Sequence, residues 1–192
     1  MTTARAALIG DTAITILAER GMRGLTHRAV DESADLPSGS TSNLARTRAA
    51  LLELALARLA ELEEAQLAAQ IHRAAPPGPD LLAGLADVMA ESVHQAITVD
   101  RNHAIARYEL ALEATRRPEL RKVYDEIGRR FRDPAIALLT AAGSSDPVRH
   151  GRQVVAFGEG MLFDAVVGAG TTPSLSDLKA AFAEFLNGIL SH

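Results

Sequence analysis

Apolar residues recur at helical spacing along almost the whole chain, and no stretch alternates apolar and polar as a half-buried strand would. That pattern restricts the fold to helix packed on helix. Composition points the same way. Hydrophobic residues make up 47% of the 192 and aromatic ones only 4%. Most of the apolar content is Ala and Leu, which lose little rotamer freedom in a helix. With 23% charged residues the chain can bury a real core. It has no cysteine, which removes disulfides, thiolate metal sites and a Cys nucleophile together. No charged segment followed by an apolar one opens the chain, and no apolar run approaches the ~20 residues that span a bilayer. A soluble, cytoplasmic protein without a membrane partner is expected.

Punctuation residues divide this pattern into about nine helices. The first is predicted from Thr3 to Arg20, with Ile9, Ala13, Ile16 and Leu17 on one face and Gly21 placed for a left-handed cap. Thr26 is placed to cap a short helix from His27 to Ala34. Asp35-Leu36-Pro37 ends it, and a second short helix is predicted from Ser38 to about Leu44. A long helix follows from Thr47 to about Arg73, its stripe formed by Leu52, Ala55, Leu56, Leu59 and Leu62. Ala75-Pro76-Pro77-Gly78-Pro79 reads as a linker. Beyond it helices are predicted at about 80–99, 103–114, 118–142, 147–168 and 175–190. Pro134 should kink or break the third of these, and Ser174 with Asp177 should cap the last.

Two short helices joined by a tight turn behind a supporting helix have helix-turn-helix geometry. The second would enter the major groove. Its Ser38, Gly39, Ser40, Thr41, Ser42 and Asn43 are small and polar, so the backbone can approach DNA, and an Asn can pair with adenine. Thr26, His27 and Arg28 at one helix start, with Arg46 and Arg48 at another, place donors and cations where phosphates would lie. A bland alternative is a flexible Ser/Thr/Gly surface loop. Charge supports DNA binding only locally. Net charge is −4, and residues 1–60 carry seven Arg against six acids.

The segment from Glu19 to Leu56 resembles the DNA-binding domain of the TetR/AcrR family of regulators. The resemblance rests on Gly21, Leu25-Thr26-x-Arg28-x-Val30, Gly39-Ser40-Thr41-Ser42, Arg46-Thr47-Arg48 and Leu51-Leu52. It implies an all-α protein with a three-helix helix-turn-helix head (residues 1–47) and a helical ligand-binding and dimerisation domain (48–192). It also implies a repressor that leaves a pseudo-palindromic DNA operator when a small-molecule effector binds. The family usually ends its recognition helix on an aromatic residue. Here Ala45 stands in that place, which predicts a repacked head, since a buried Phe→Ala costs about 3–5 kcal/mol in an unadapted core.

In the body, His94, His103, Arg107, Tyr108, Phe131, Phe157 and Met161 are the candidate ligand-binding residues, although ordinary surface or core roles account for most such residues taken singly. Glu91-x-x-His94 has the spacing of a di-iron bundle ligand pair, but no second copy accompanies it. No metal site, cofactor or enzymatic activity is expected. Leu175, Leu178, Phe182, Phe185, Leu186 and Ile189 make a wide apolar face, and Gly151, Gly158 and Gly160 precede it. These suggest a homodimer through about residues 147–190, with intramolecular packing as the alternative. The competing functions are a helical adaptor that has lost DNA binding and a di-metal helical-bundle enzyme.

Overall fold

The structure is a computed structural model, and it describes residues 3–73 and 81–190. The expected linker at 75–79 lies outside the described residues. Within them there are nine helices and no strand: α1 (Ala4–Gly24), α2 (His27–Ser33), α3 (Ser40–Leu44), α4 (Arg48–Arg73), α5 (Leu81–Thr98), α6 (Arg101–Ala114), α7 (Pro118–Ala141), α8 (Pro147–Val166) and α9 (Leu175–Leu190). None is long and apolar enough to cross a membrane. The chain divides into two compact units, one of residues up to Glu63 with Asn102–Ile127, the other of Glu64–Arg101 with residues from Gly128 onward.

The first unit is built on the stripes that the periodicity marks. Ile9, Ala13, Ile16 and Leu17 of α1 are fully buried, as are Leu52, Ala55, Leu56 and Leu59 of α4. Leu62 is only partly buried at the edge of that core. Ala106, Leu110 and Ala114 of α6 and Leu120 of α7 complete it. A three-helix head therefore shares one core with segments drawn from the second half of the chain. Ala45 is 1% exposed and sits in this core with Leu25, Val30, Leu51 and Leu52, so the head closes over the small residue.

Local chemistry fixes the helix ends. Thr3 caps α1 through the amide of Ala6, and Thr26 caps α2 through the amide of Ala29 at 3.1 Å. Gly21 takes φ 64°, ψ −173°, a backbone state that side-chain-bearing residues avoid. It interrupts α1, yet the helix resumes for one more turn to Gly24 instead of ending at Arg20. α2 closes with Leu36 N–H on the Asp31 carbonyl and Asp35 N–H on that of Glu32, a Schellman pattern with Asp35 at φ 51°.

In the second unit, α9 packs along α5 and α8 also lies against α5. Leu178, Phe182 and Leu186 are buried by this packing, while Leu175, Phe185 and Ile189 of the same face stay partly exposed. Gly151 permits close approach of α8 to α7: a Cβ there would sit 2.6 Å from Ile136 Cγ1. At Gly158 a Cβ would make ordinary contact with Met89 and Phe182, and Gly160 faces open space. Ser174 and Asp177 form a reciprocal capping box, Asp177 N–H to Ser174 Oγ and Ser174 N–H to the Asp177 carboxylate. Of the kink or break expected at Pro134, the break does not occur: α7 is continuous through it. Pro134 and Arg130, whose carbonyl loses its i+4 donor, are both exposed, so no buried group is left unsatisfied.

Candidate nucleic-acid interface and sensing body

Five residues is too short for α3 to persist on its own propensity, and α2 holds it at both ends. Asp31 is buried at 5% exposure. One of its carboxylate oxygens accepts the Gly39 N–H at 2.8 Å. The other accepts the Thr41 N–H at 2.8 Å and the Thr41 hydroxyl at 2.6 Å. One turn earlier on the same face, His27 Nε2 donates to the Ala45 carbonyl at 2.6 Å. A carboxylate thus meets the positive end of α3 and a ring N–H the negative end. Burial works against the Asp31 charge, but the Thr41 and Gly39 hydrogen bonds outweigh it and hold the carboxyl below its ordinary range, helped by nearby His27. Gly39, at φ 89° and with open space around it, lets the chain turn into α3.

The expected starting point of the recognition helix therefore shifts. Ser38 precedes α3 and is exposed, Ser40 and Thr41 point inward, and Ser42, Asn43 and Leu44 face outward. Thr26, Arg28 and Arg46 are exposed and His27 is half-buried. Arg28 makes an exposed pair with Glu32 at 2.7 Å. Arg48 turns inward instead, with Nη1 donating to the Leu25 carbonyl at 2.5 Å and Nη2 to that of Met22 at 2.6 Å. Asp31 was not singled out from sequence. The available signal was an acid four residues after His27 and just before the helix break, a spacing that puts both on one face.

The seven candidate ligand residues divide between the units. His103, Arg107 and Tyr108 of α6 belong to the first, and all three are half-buried. Arg107 lies 3.4 Å from Glu63 and over the Tyr108 ring. His94, Phe131, Phe157 and Met161 belong to the second. Phe157 stacks on Phe185 at 4.4 Å and meets Phe182 edge-on at 5.3 Å. Phe157 and Met161 border an open depression of about 640 Å³ with Gly160, Asp164, Thr171 and Pro173. Sequence reasoning passed over three polar groups in the second unit. Among the described residues, the buried atoms Gln70 Nε2, His150 Nε2 and Gln153 Oε1 have no hydrogen-bond partner. Gln70 accepts from Ser92 through its other side-chain atom, and His150 Nδ1 lies 2.7 Å from Ser144 Oγ. Gln153 follows His150 by three positions, so the two share a face of α8. Glu91 lies 3.6 Å from Lys179, and among the described residues no group of three or more His, Asp or Glu gathers to hold a metal.

Comparison with known proteins agrees with this architecture. Residues 80–192 match the family model described as the tetracyclin repressor-like C-terminal domain. No curated protein matches the chain. Among solved structures, a transcriptional regulator from Rhodococcus sp. Rha1 superposes with TM-score 0.79 at 20% identity, over 98% of this chain and 97% of that one. A TetR-family member from Streptomyces coelicolor A3 gives 0.74 at 28% identity, over 95% and 98%. The multidrug binding protein EbrR complexed with imidazole gives 0.69 at 30% identity, over 95% of both chains, and it is also solved with ethidium. With a family model covering more than half its length and a head of helix-turn-helix form, the chain belongs to the TetR family of ligand-responsive transcriptional regulators.

Proposed function

We propose that the protein is a repressor that, as a homodimer, holds a pseudo-palindromic operator in the cytoplasm and leaves it when a small organic molecule binds the body. Residues 1–47 act as the DNA-binding domain and 48–192 as the ligand-binding and dimerisation domain, with no enzymatic step. The observation that carries this reading is the outward edge of α3. Ser42, Asn43 and Leu44 are exposed on a helix gripped at both ends. Asn43 suits an adenine edge and Leu44 a thymine methyl group. Thr26, Arg28, Ser38 and Arg46 flank them and suit phosphates. The Arg28–Glu32 pair is no obstacle, because exposed pairs are worth only about 0–1 kcal/mol. Gly39, Ser40 and Arg48 serve by shaping the head, and His27 by holding α3.

For the effector, the proposed contacts are kept as two sets, each within one unit. The half-buried His103, Arg107 and Tyr108 form the set in the first unit. His94, Phe131, Phe157 and Met161 form the set in the second, joined by Gln70, His150 and Gln153 as polar groups that a ligand can pair. EbrR, with its bound ethidium, is the relative that supports an organic ligand. For the dimer, Gly160 of α8 faces open space and Leu175, Phe185 and Ile189 of α9 stay partly exposed, which supports the expected face within residues 147–190. A mobility-shift titration on the DNA upstream of the coding sequence tests the reading. Sequence-selective, salt-sensitive binding that Asn43→Ala weakens by roughly 10-fold or more supports it. Weak binding without sequence preference would refute it.

A further inference from the structure

We infer that Glu109 of α6 is a positioning residue for the DNA-reading head. It acts on the backbone of the α1–α2 junction, and the inference rests on the operator-binding reading above. The break at Gly21 takes the chain out of the helical ladder, so the next amide, that of Met22, has no carbonyl four residues back in position to receive it. Glu109, 87 residues away in sequence, supplies the acceptor through Oε2 at 3.1 Å. Its other carboxylate oxygen lies beside Gly21, 3.6 Å from where a Cβ would stand. The carbonyl of the same Met22 is held by Arg48 at the start of α4, which also holds Leu25 just before the Thr26 cap. One peptide segment is thus fixed on its donor side by α6 and on its acceptor side by α4, immediately before α2 begins. Since α2 in turn grips α3 through His27 and Asp31, the setting of this junction sets the direction of the reading helix. The chain enters α6 directly from the second unit at Arg101, whose guanidinium is bonded to the Val166 carbonyl at the end of α8.

The test uses the full-length protein and its upstream DNA, with Glu109→Ala, Glu109→Asp and Glu109→Gln. Ala has no acceptor and Asp is one methylene too short, so both should weaken operator binding about tenfold. Gln keeps an acceptor oxygen at the same reach and should stay within about threefold of wild type. Amide exchange at Met22 should speed up in the Ala and Asp variants while the slowest core amides are unchanged. A purely stabilising role would lower the melting temperature and leave the affinity of the folded protein intact. Should Glu109→Ala fail to fold, the Asp and Gln pair decides. Wild-type binding with Ala or Asp equally tight, or with Gln as weak as Asp, would overturn the inference. Failure of the wild type itself to bind selectively would instead remove the operator reading beneath it.

Discussion

The head and the body treat their interior polar groups in opposite ways. In the head, Asp31, Thr41 and His27, together with Arg48 at the start of α4, spend their polar atoms on one another or on backbone at helix ends. In the body, Gln70, His150 and Gln153 each bury an atom that no described group satisfies. A buried unsatisfied group costs about 1–3 kcal/mol, so the two regions are built to different ends. A reading element gains from a single geometry, and satisfied networks impose one. On the proposed reading of the body as the sensing element, such atoms are polar capacity that a ligand can use, held at some cost in stability.

The largest effect should come from Asp31→Ala. It strands two amides and a hydroxyl at the start of α3, and about 3–4 kcal/mol of head stability should go with them. Selective operator binding should disappear while the helices of the second unit persist, a contrast that exchange measurements resolve. The acid limb provides a related check. Because the Asp31 carboxyl lies below its ordinary value of 3.8 in the folded head, its contribution is complete above that value. It is lost as pH falls through the lower folded value. Asp31→Asn should flatten that part of the stability profile.

Arg48→Ala should cost about 2–3 kcal/mol through its two carbonyl bonds and leave the slope of log affinity against log salt unchanged. Arg46→Ala should do the reverse, reducing that slope by about one with little change in melting. An equal change of slope for both would place Arg48 on phosphate and blur the contrast. In the body the sign should turn. Gln153→Met exchanges an unsatisfied polar tip for an apolar one of similar shape, and the protein should keep or gain up to about 1 kcal/mol. A marked loss on thermal melting would mean that the body is as fully paired as the head. The smallest effect is at Asp35, where φ is 51°. Asp35→Gly should stabilise the α2–α3 turn by up to about 1 kcal/mol in urea unfolding.

Much of this was written locally. The stripes at Ile9–Leu17 and Leu52–Leu59, the caps at Thr26 and Ser174, and the stop before Pro37 all depend on neighbours within a few positions. Such interactions leave a periodic or positional trace in sequence. Pro134 does not break α7, since the carbonyl that it frees is exposed, and exposure is not a local property. The facing of α3 was illegible for a similar reason. Nothing in Ser40-Thr41-Ser42-Asn43 says which two hydroxyls turn inward until Asp31 is brought against Thr41.

The helical class and the two short helices of the head were therefore legible in sequence alone, because periodicity and capping act over three or four residues, and the family was legible as a resemblance of its motifs. Tertiary structure decided which residues of that head face outward, that Arg48 turns inward, and which residues of the apolar face of α9 are buried. It also paired Glu109 with Met22. Each of these depends on contacts between residues far apart in the chain, and only packing sets such distances.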